Sequence, residues 1–104
     1  MPVVRIHEAA AQELEEAAAW YEEEAPGTGI RLLDAFENAV SLLRDEPIPL
    51  AATTGQANVL GAKRLLLHRF PFDVVILEED TELIVVAVAH QSRRPGYWID
   101  RLGT

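Results

Sequence analysis

The stretch from Leu83 to Trp98 constrains this chain more than any other part of it. It begins with seven consecutive apolar residues, LIVVAVA, and four of them are β-branched. The acidic segment EEDTE precedes this run, and a polar turn follows it. An uncharged run of this length, rich in β-branched residues and bounded by turn residues, is typical of a strand that is buried on both faces. We therefore predict such a strand over Leu83–Ala89.

The residues that follow this strand are of a different kind. Polar, cationic and aromatic side chains crowd into nine positions, and Pro95 with Gly96 ends the strand. A stiff buried strand that carries such groups at its exposed end is a good support for a functional site. We predict a functional site there, among His90, Gln91, Ser92, Arg93, Arg94 and Tyr97, and we expect Trp98 to close the core.

Length and composition predict one globular domain over residues 1–104. No stretch approaches the roughly 18 apolar residues that cross a bilayer, and the N-terminus lacks the pattern of a signal peptide. We therefore expect a cytoplasmic, bacterial-type protein without a membrane partner. The chain has no cysteine, and His7, His68 and His90 lack a neighbouring acid at ligand spacing. We expect neither a metal site nor a cofactor.

The net charge of −8 is placed unevenly along the chain. Residues 1–60 carry 11 acidic and 3 basic side chains, whereas residues 61–104 carry 6 of each. The acidic half argues against attraction of the whole molecule to nucleic acid. A polyanion could be recognised only locally, by the cations of the second half.

The periodicity of apolar residues predicts the element order β-α-α-β-β-β. We expect a strand over Val3–Ile6, helices over about 8–24 and 29–44, a loop over 47–62, and a short terminal helix over 96–102. The remaining strands are expected over Lys63–Arg69, Phe72–Leu77 and Leu83–Ala89. Sequential strands with short links predict an antiparallel meander, and the two helices predict a hairpin that covers one face of the sheet. The expected fold is thus α/β of the α+β type, with a mainly antiparallel sheet.

Strand alternation predicts two apolar faces of this sheet. One face should pack against the helices through Leu65, Leu67, Val74, Ile76, Val86 and Val88, which should meet Leu14, Tyr21, Leu33, Phe36 and Val40. The opposite face should consist of Phe72, Val75, Leu77, Val85 and Ala87. A helix hairpin leaves that second face open, so we expect it to be covered by a partner segment or by a second copy of this chain in a homodimer.

Several motifs in this order resemble those of the RelE/ParE superfamily of toxins from bacterial type II toxin–antitoxin pairs. The resemblance spans nearly the whole chain and rests on Trp20-Tyr21-Glu22, Pro26-Gly27, Arg31–Ala35, Arg69–Phe72, His90, Arg93, Pro95 and Tyr97-Trp98. It implies a small growth-inhibiting toxin that is neutralised by an antitoxin wrapped around the sheet and the helix hairpin. RelE-like members cleave messenger RNA in the ribosomal A site, and ParE-like members poison DNA gyrase without cleaving anything themselves. A member without toxicity, acting as an antitoxin-binding or structural domain, is a third alternative.

The strand-end residues bear differently on these activities. Metal-independent RNA cleavage needs proton-transfer groups and cations that hold the phosphate; if the chain is a nuclease, the candidates are His90, Arg69, Arg93 and Tyr97. Gln91 stands where RelE-like nucleases carry an arginine, which favours the ParE-like alternative. Residues expected to contact the antitoxin are Phe72, Val75, Leu77, Val85 and Arg94.

Overall fold

The structure, a computed structural model, describes residues 3–45, 51–52, 61–67, 69–79, 81–94 and 96–103. The helices are α1 (Glu8–Glu24) and α2 (Thr28–Asp45), and a 3-10 helix spans Ile99–Gly103. The strands are β1 (Val3–Ile6), β2 (Ala51–Ala52), β3 (Ala62–Leu66), β4 (Phe72–Glu79) and β5 (Glu82–His90). The predicted fold class and element order are confirmed.

The strands form one sheet in the order β1-β5-β4-β3-β2. β1 runs parallel to β5, whereas the other neighbouring pairs are antiparallel. β2 was not predicted: Ala51 and Ala52 pair with β3 although their sequence carries no strand pattern. The rest of the predicted loop, apart from 61–62, lies outside the described residues. So does His68 of the predicted strand Lys63–Arg69.

The helix hairpin is tight because small residues line its contact. Gly29 is buried at the start of α2, and a Cβ atom there would lie 2.4 Å from the carbonyl oxygen of Ala18 on α1. The Glu22 carboxylate accepts hydrogen bonds from the backbone N–H groups of Gly27, at 2.8 Å, and Gly29, at 3.1 Å. This carboxylate satisfies N–H groups at the beginning of α2 that have no partner within the helix. The short turn therefore sets the antiparallel packing of the hairpin.

A β-bulge in β5 changes which side chains face the helices. The register with β4 shifts between Val75 and Ile76, so that Val86 is the additional residue on β5. Val86 and Ala87 consequently lie on the same face of the sheet, away from the helices, while Val85 and Val88 face the helix hairpin. The predictions for Val85 and Val86 were wrong, because simple alternation cannot anticipate an extra residue.

Two further face predictions were wrong. Phe72 is buried on the helix side, because it lies two residues from Val74 and shares its face. Leu33 is 39% exposed, while its neighbour Leu32 is fully buried on the stripe that continues through Phe36. Tyr21, Phe36 and Val40 pack against the sheet as predicted.

The second face of the sheet is covered by the chain's own C-terminal segment, residues 96–103. Trp98 is 3% exposed and packs in one cluster with Val75, Val86 and Ala87. Tyr97, Ile99 and Leu102 pack against the same cluster, and Leu77 lies at its border. The expectation that this face requires a partner or a second copy is therefore wrong, and Val75 is buried within the monomer.

The candidate functional site at the end of strand β5

His90 shapes the turn that follows β5. Its Nδ1 atom accepts a hydrogen bond from the backbone N–H of Ser92 at 3.0 Å and lies 2.7 Å from the Ser92 hydroxyl. The Arg93 N–H donates to the His90 carbonyl oxygen at 2.9 Å. The imidazole also packs edge-on against the Phe72 ring, with centroids 5.2 Å apart. One ring nitrogen of His90 is thus occupied by the turn itself.

Gln91 joins a polar row on the adjacent strands. Its side-chain amide donates to the Asp73 carboxylate at 3.2 Å, and Arg64 lies 3.6 Å from the same carboxylate. The Gln91 backbone N–H donates to the carbonyl oxygen of Pro71 at 2.8 Å. The neutral amide therefore ties the end of β5 to the beginning of β4, where a cation would compete with Arg64 for Asp73.

The two cations that follow have different surroundings. The guanidinium carbon of Arg93 lies 3.9 Å from the centroid of the Tyr97 ring, which is a cation–π contact. Arg94 is exposed, and its carbonyl oxygen accepts from the backbone N–H of Tyr97 at 3.3 Å. The predicted proximity of Arg93 and Tyr97 is therefore observed, and Arg94 stays available at the surface.

A hydrogen-bonded network joins α1 to the C-terminal segment at this end of the sheet. The Tyr97 hydroxyl donates to the Glu13 carboxylate at 2.5 Å. Arg101 donates to both oxygens of the same carboxylate, at 2.8 and 3.1 Å, in a two-pronged ion pair. We call Glu13, Tyr97 and Arg101 the terminal network. It fixes the C-terminal segment in place over the second face of the sheet.

The terminal network also provides hydrogen-bond partners for backbone groups of β5 along an edge that has no described strand beside it. The pairing with β1 ends at Val85. Beyond that point Glu13 accepts from the Val88 N–H at 3.1 Å, and Arg101 donates to the Val86 carbonyl oxygen at 2.9 Å. Side chains therefore replace the missing strand, because backbone groups in this position need partners.

The sequence reading missed Glu13 and Arg101. Glu13 is not among the predicted site residues, yet it lies three residues after Ala10 and four before Ala17, both of which pack into the core. A carboxylate inside an apolar helical stripe was the available signal. The sequence signal for Arg101 was weaker and consisted only of its spacing, four residues after Tyr97.

The protonation states of the terminal network follow from its contacts. Burial acts to raise the pKa of Glu13, but hydrogen bonds from Arg101, Tyr97 and Val88 and the charge of Arg101 outweigh burial, so its pKa is lowered. Burial and the hydrogen bond to Glu13 raise the pKa of Tyr97. The hydrogen bond to Glu13 also raises the pKa of Arg101. The network therefore holds a carboxylate, a protonated phenol and a guanidinium.

We expect acid to weaken the fold through Glu13. Its pKa is lowered by folding from an ordinary value of 4.5, so its contribution to stability is complete above that value and is lost as the pH falls through the folded pKa. Urea unfolding between about pH 6 and about pH 3 should show a smaller loss of stability in Glu13→Gln than in the wild type. Glu15→Gln, at an exposed position of the same helix, is the control and should keep the wild-type profile. An unaltered profile in Glu13→Gln would contradict the assignment.

Arg69 belongs to the turn beside the end of β5, where the Gln91 N–H donates to the Pro71 carbonyl oxygen. It is an exposed residue of the turn between β3 and β4, and it makes no described contact with His90, Arg93 or Tyr97. Its backbone has a φ of 71°, in the left-handed region. It lines an open groove of about 520 Å³ with Tyr21, Arg31 and Phe70. The four predicted catalytic residues therefore do not form one contacting cluster.

The structure bears on metal binding and membrane crossing only through its described residues. Within the described ranges, no three histidine or acidic side chains are grouped so that they could hold a metal ion. Neither α1 nor α2 is long and apolar enough to span a bilayer.

Comparisons with known proteins agree with the fold. A family model described as "ParE toxin of type II toxin-antitoxin system, parDE" matches residues 4–95. A chain of the solved structure "Chromosomal ParDE TA system from P. aeruginosa" superposes with a TM-score of 0.71 at 19% identity, covering 86% of this chain and 96% of that one. No curated protein sequence matches. The structural match shows a shared fold, and the family match extends over most of the sequence, so the chain belongs to the ParE family of toxins from type II toxin–antitoxin systems.

Proposed function

We propose that this ParE-family toxin stops bacterial growth by binding a protein target, with DNA gyrase the first target to test, and that it does not cleave RNA. The observation that carries the proposal is the terminal network. The Tyr97 hydroxyl, the nuclease candidate on the C-terminal segment, donates a hydrogen bond to the Glu13 carboxylate, which Arg101 also binds. The residues at the end of β5 then serve to position an exposed turn and the C-terminal segment against a target.

The contacts of the other candidates support binding over cleavage. RNA cleavage without a metal needs a proton acceptor close to cations that hold the phosphate. The raised pKa of Tyr97 keeps its phenol protonated, and Nδ1 of His90 is occupied by the Ser92 backbone. Arg93 stacks on the Tyr97 ring, and Arg69 makes no described contact with either residue. These residues stabilise a local structure and are not arranged around one reacting group.

Family membership implies a cognate antitoxin as a partner. We propose that the protein acts in the cytoplasm. Phe72 and Val85 were predicted to contact the antitoxin, but their side chains are buried under the helices. We propose that Arg94 and Leu77 contact the antitoxin, because Arg94 is exposed and Leu77 is half-buried. Neither a homodimer nor a cofactor is needed for the proposed mode of action.

The decisive measurement is induced expression in bacterial cells that lack the antitoxin, with DNA damage and messenger integrity recorded separately. We expect arrested replication and intact messenger. His90→Ala should retain most of this toxicity, because it removes the contacts of the imidazole with Ser92 and Phe72 and no proton-transfer step. If the protein were a nuclease that used His90, the same substitution would lower RNA cleavage by about 10²–10⁴-fold.

Two other outcomes contradict the proposal, and a third excludes only gyrase as the target. Ribosome-bound messenger that is cleaved by the wild type and not by His90→Ala would establish the RelE-like alternative. Normal growth, with the protein present and folded, would leave a non-toxic antitoxin-binding domain. Replication arrest with purified gyrase unaffected would keep target binding and exclude gyrase. Co-expression of the antitoxin is the control, and it should restore growth.

A further inference from the structure

A tryptophan is exposed on α1, at the outer end of a row of rings that leads to β5. Trp20 is 56% exposed, although tryptophan is highly buried on average in folded proteins. Its ring meets the Tyr21 ring edge to face, with centroids 5.0 Å apart. Tyr21 contacts Phe72 in the same way at 6.3 Å, and Phe72 contacts the imidazole of His90 at 5.2 Å. This row of rings connects Trp20 to the end of β5, where the exposed turn begins.

The position of Trp20 on α1 also relates it to the terminal network. Trp20 lies seven residues after Glu13, so the two side chains project from nearly the same face of the helix, about two turns apart. Glu13 contacts Tyr97 and Arg101 of the C-terminal segment. The contact of α1 with α2 lies on another side of the helix, at Ala18. Trp20 is therefore on the edge of the hairpin that borders the C-terminal segment.

Exposed glutamates surround Trp20 on this edge. Glu16 lies four residues before it, Glu23 three residues after it and Glu24 four residues after it, and all three are exposed. We call these four residues the Trp20 face. α1 carries seven glutamates and no basic residue, and none of the three forms an ion pair with a residue in the described part of the chain. The Trp20 face thus consists of an aromatic ring among carboxylates without a described counterion.

The last turn of α1 carries charge of the sign that a helix end disfavours. Partial negative charge accumulates at a helix C-terminus, where basic side chains stabilise the helix and acidic ones destabilise it. This turn has no basic residue and ends in Glu22, Glu23 and Glu24. Glu22 binds the N–H groups at the beginning of α2, whereas no such contact is described for Glu23 or Glu24. Their placement disfavours the isolated monomer, and a cationic partner would reverse this effect.

We propose that the Trp20 face binds a basic surface of the protein target whose inhibition stops growth. An arginine or lysine of the target lies over the Trp20 ring in a cation–π contact, and the flanking carboxylates pair with further cations. Tryptophan is enriched among the residues that supply most of the binding energy of protein interfaces. A nucleic acid does not match this face, because its phosphates would meet the carboxylates. The proposed contact rests on the proposed function, because the Trp20 face adds to the target-binding surface at the end of β5.

The test compares variants of the full-length toxin at equal expression levels in cells that lack the antitoxin. Trp20→Ala should weaken binding to purified DNA gyrase about tenfold or more, and growth arrest should need correspondingly more toxin. Trp20→Phe keeps an aromatic ring and should lose less affinity. Ile30→Ala is the matched control, because Ile30 is an apolar residue of α2 that is 61% exposed, and it should act like the wild type.

Glu24→Lys separates binding from stability. A basic residue suits the end of α1, so the melting temperature should stay equal or rise. Binding to the target should weaken about fivefold or more, because like charges then meet. Glu37→Lys, at an exposed position of α2, is the charge control and should keep the wild-type activity. A purely structural role of Glu24 would not combine a higher melting temperature with weaker growth arrest.

The outcomes distinguish the Trp20 face from the proposed function. Wild-type growth arrest in both Trp20→Ala and Glu24→Lys would overturn the role of this face and leave the proposed function intact. The role would also be overturned if these variants lost only affinity for the antitoxin. A wild type that does not arrest growth would overturn the proposed function and the role of the Trp20 face with it. If the wild type arrests growth without binding gyrase, weaker arrest in both variants would still support the Trp20 face.

Discussion

Trp98→Ala should destabilise the protein by about 3–5 kcal/mol, the usual cost of truncating a fully buried tryptophan. Trp98 is 3% exposed and belongs to the cluster that joins the C-terminal segment to the second face of the sheet. Its removal leaves a cavity and loosens the cover over Val75 and Val86. Urea unfolding of purified wild type and variant measures the difference in the free energy of unfolding.

Trp20→Ala supplies the matched control for this change. Trp20 is 56% exposed on α1, so the same truncation should cost about 1 kcal/mol or less. Trp98→Phe should lower the free energy of unfolding by an intermediate amount. It can replace Trp98→Ala in the comparison if the alanine variant does not fold. Equal effects of Trp98→Ala and Trp20→Ala would show that the C-terminal segment does not cover the sheet in solution.

Phe36→Ala should cost a similar amount, about 3–5 kcal/mol, on the opposite side of the sheet. Phe36 is 3% exposed on α2 and belongs to the cluster that contains Val74, Ile76 and Val88. A cavity in this position removes packing between the helix hairpin and the sheet. Since a small domain is stable by only about 5–15 kcal/mol, the loss should be visible in thermal unfolding as well.

Leu33→Ala is the control on the same helix. Leu33 is 39% exposed, so its truncation should cost about 1 kcal/mol or less. Phe36→Leu should be milder than Phe36→Ala, since less volume is removed. A larger loss in Leu33→Ala than in Phe36→Ala would mean that α2 packs through the face that the sequence reading assigned to Leu33.

The periodic parts of the chain were predictable from sequence because their signals are local. The uncharged run at Leu83–Ala89 predicted a buried strand, and β5 has most of its residues buried. The apolar stripe of α2 predicted a helix packed through Phe36 and Val40. A turn of proline and glycine predicted the hairpin that brings α1 and α2 together. In each of these segments the local hydrophobic pattern agrees with the structure that the whole fold requires.

The candidate site was predictable only in part. His90, Arg93 and Tyr97 are close in sequence, and their local contacts follow from one turn after β5. Glu13 lies 84 residues from Tyr97 in the chain, so their hydrogen bond has no local signature. The open groove that Arg31 and Arg69 line brings α2 beside the turn between β3 and β4, and that neighbourhood also exists only once α2 has packed on the sheet.

The sequence by itself determined the element order, the helix hairpin, the buried strand and the family to which the chain belongs, because these depend on periodicity and on short motifs. The tertiary structure decided the faces of the sheet and the use of the C-terminus. The bulge at Val86 reverses the alternation of β5, and it arises from pairing with β4 and not from a residue pattern. Trp98 and the terminal network then cover the second face from within the chain. Which surface a segment covers depends on where distant elements leave apolar area and unpaired backbone groups, and only the assembled fold defines both.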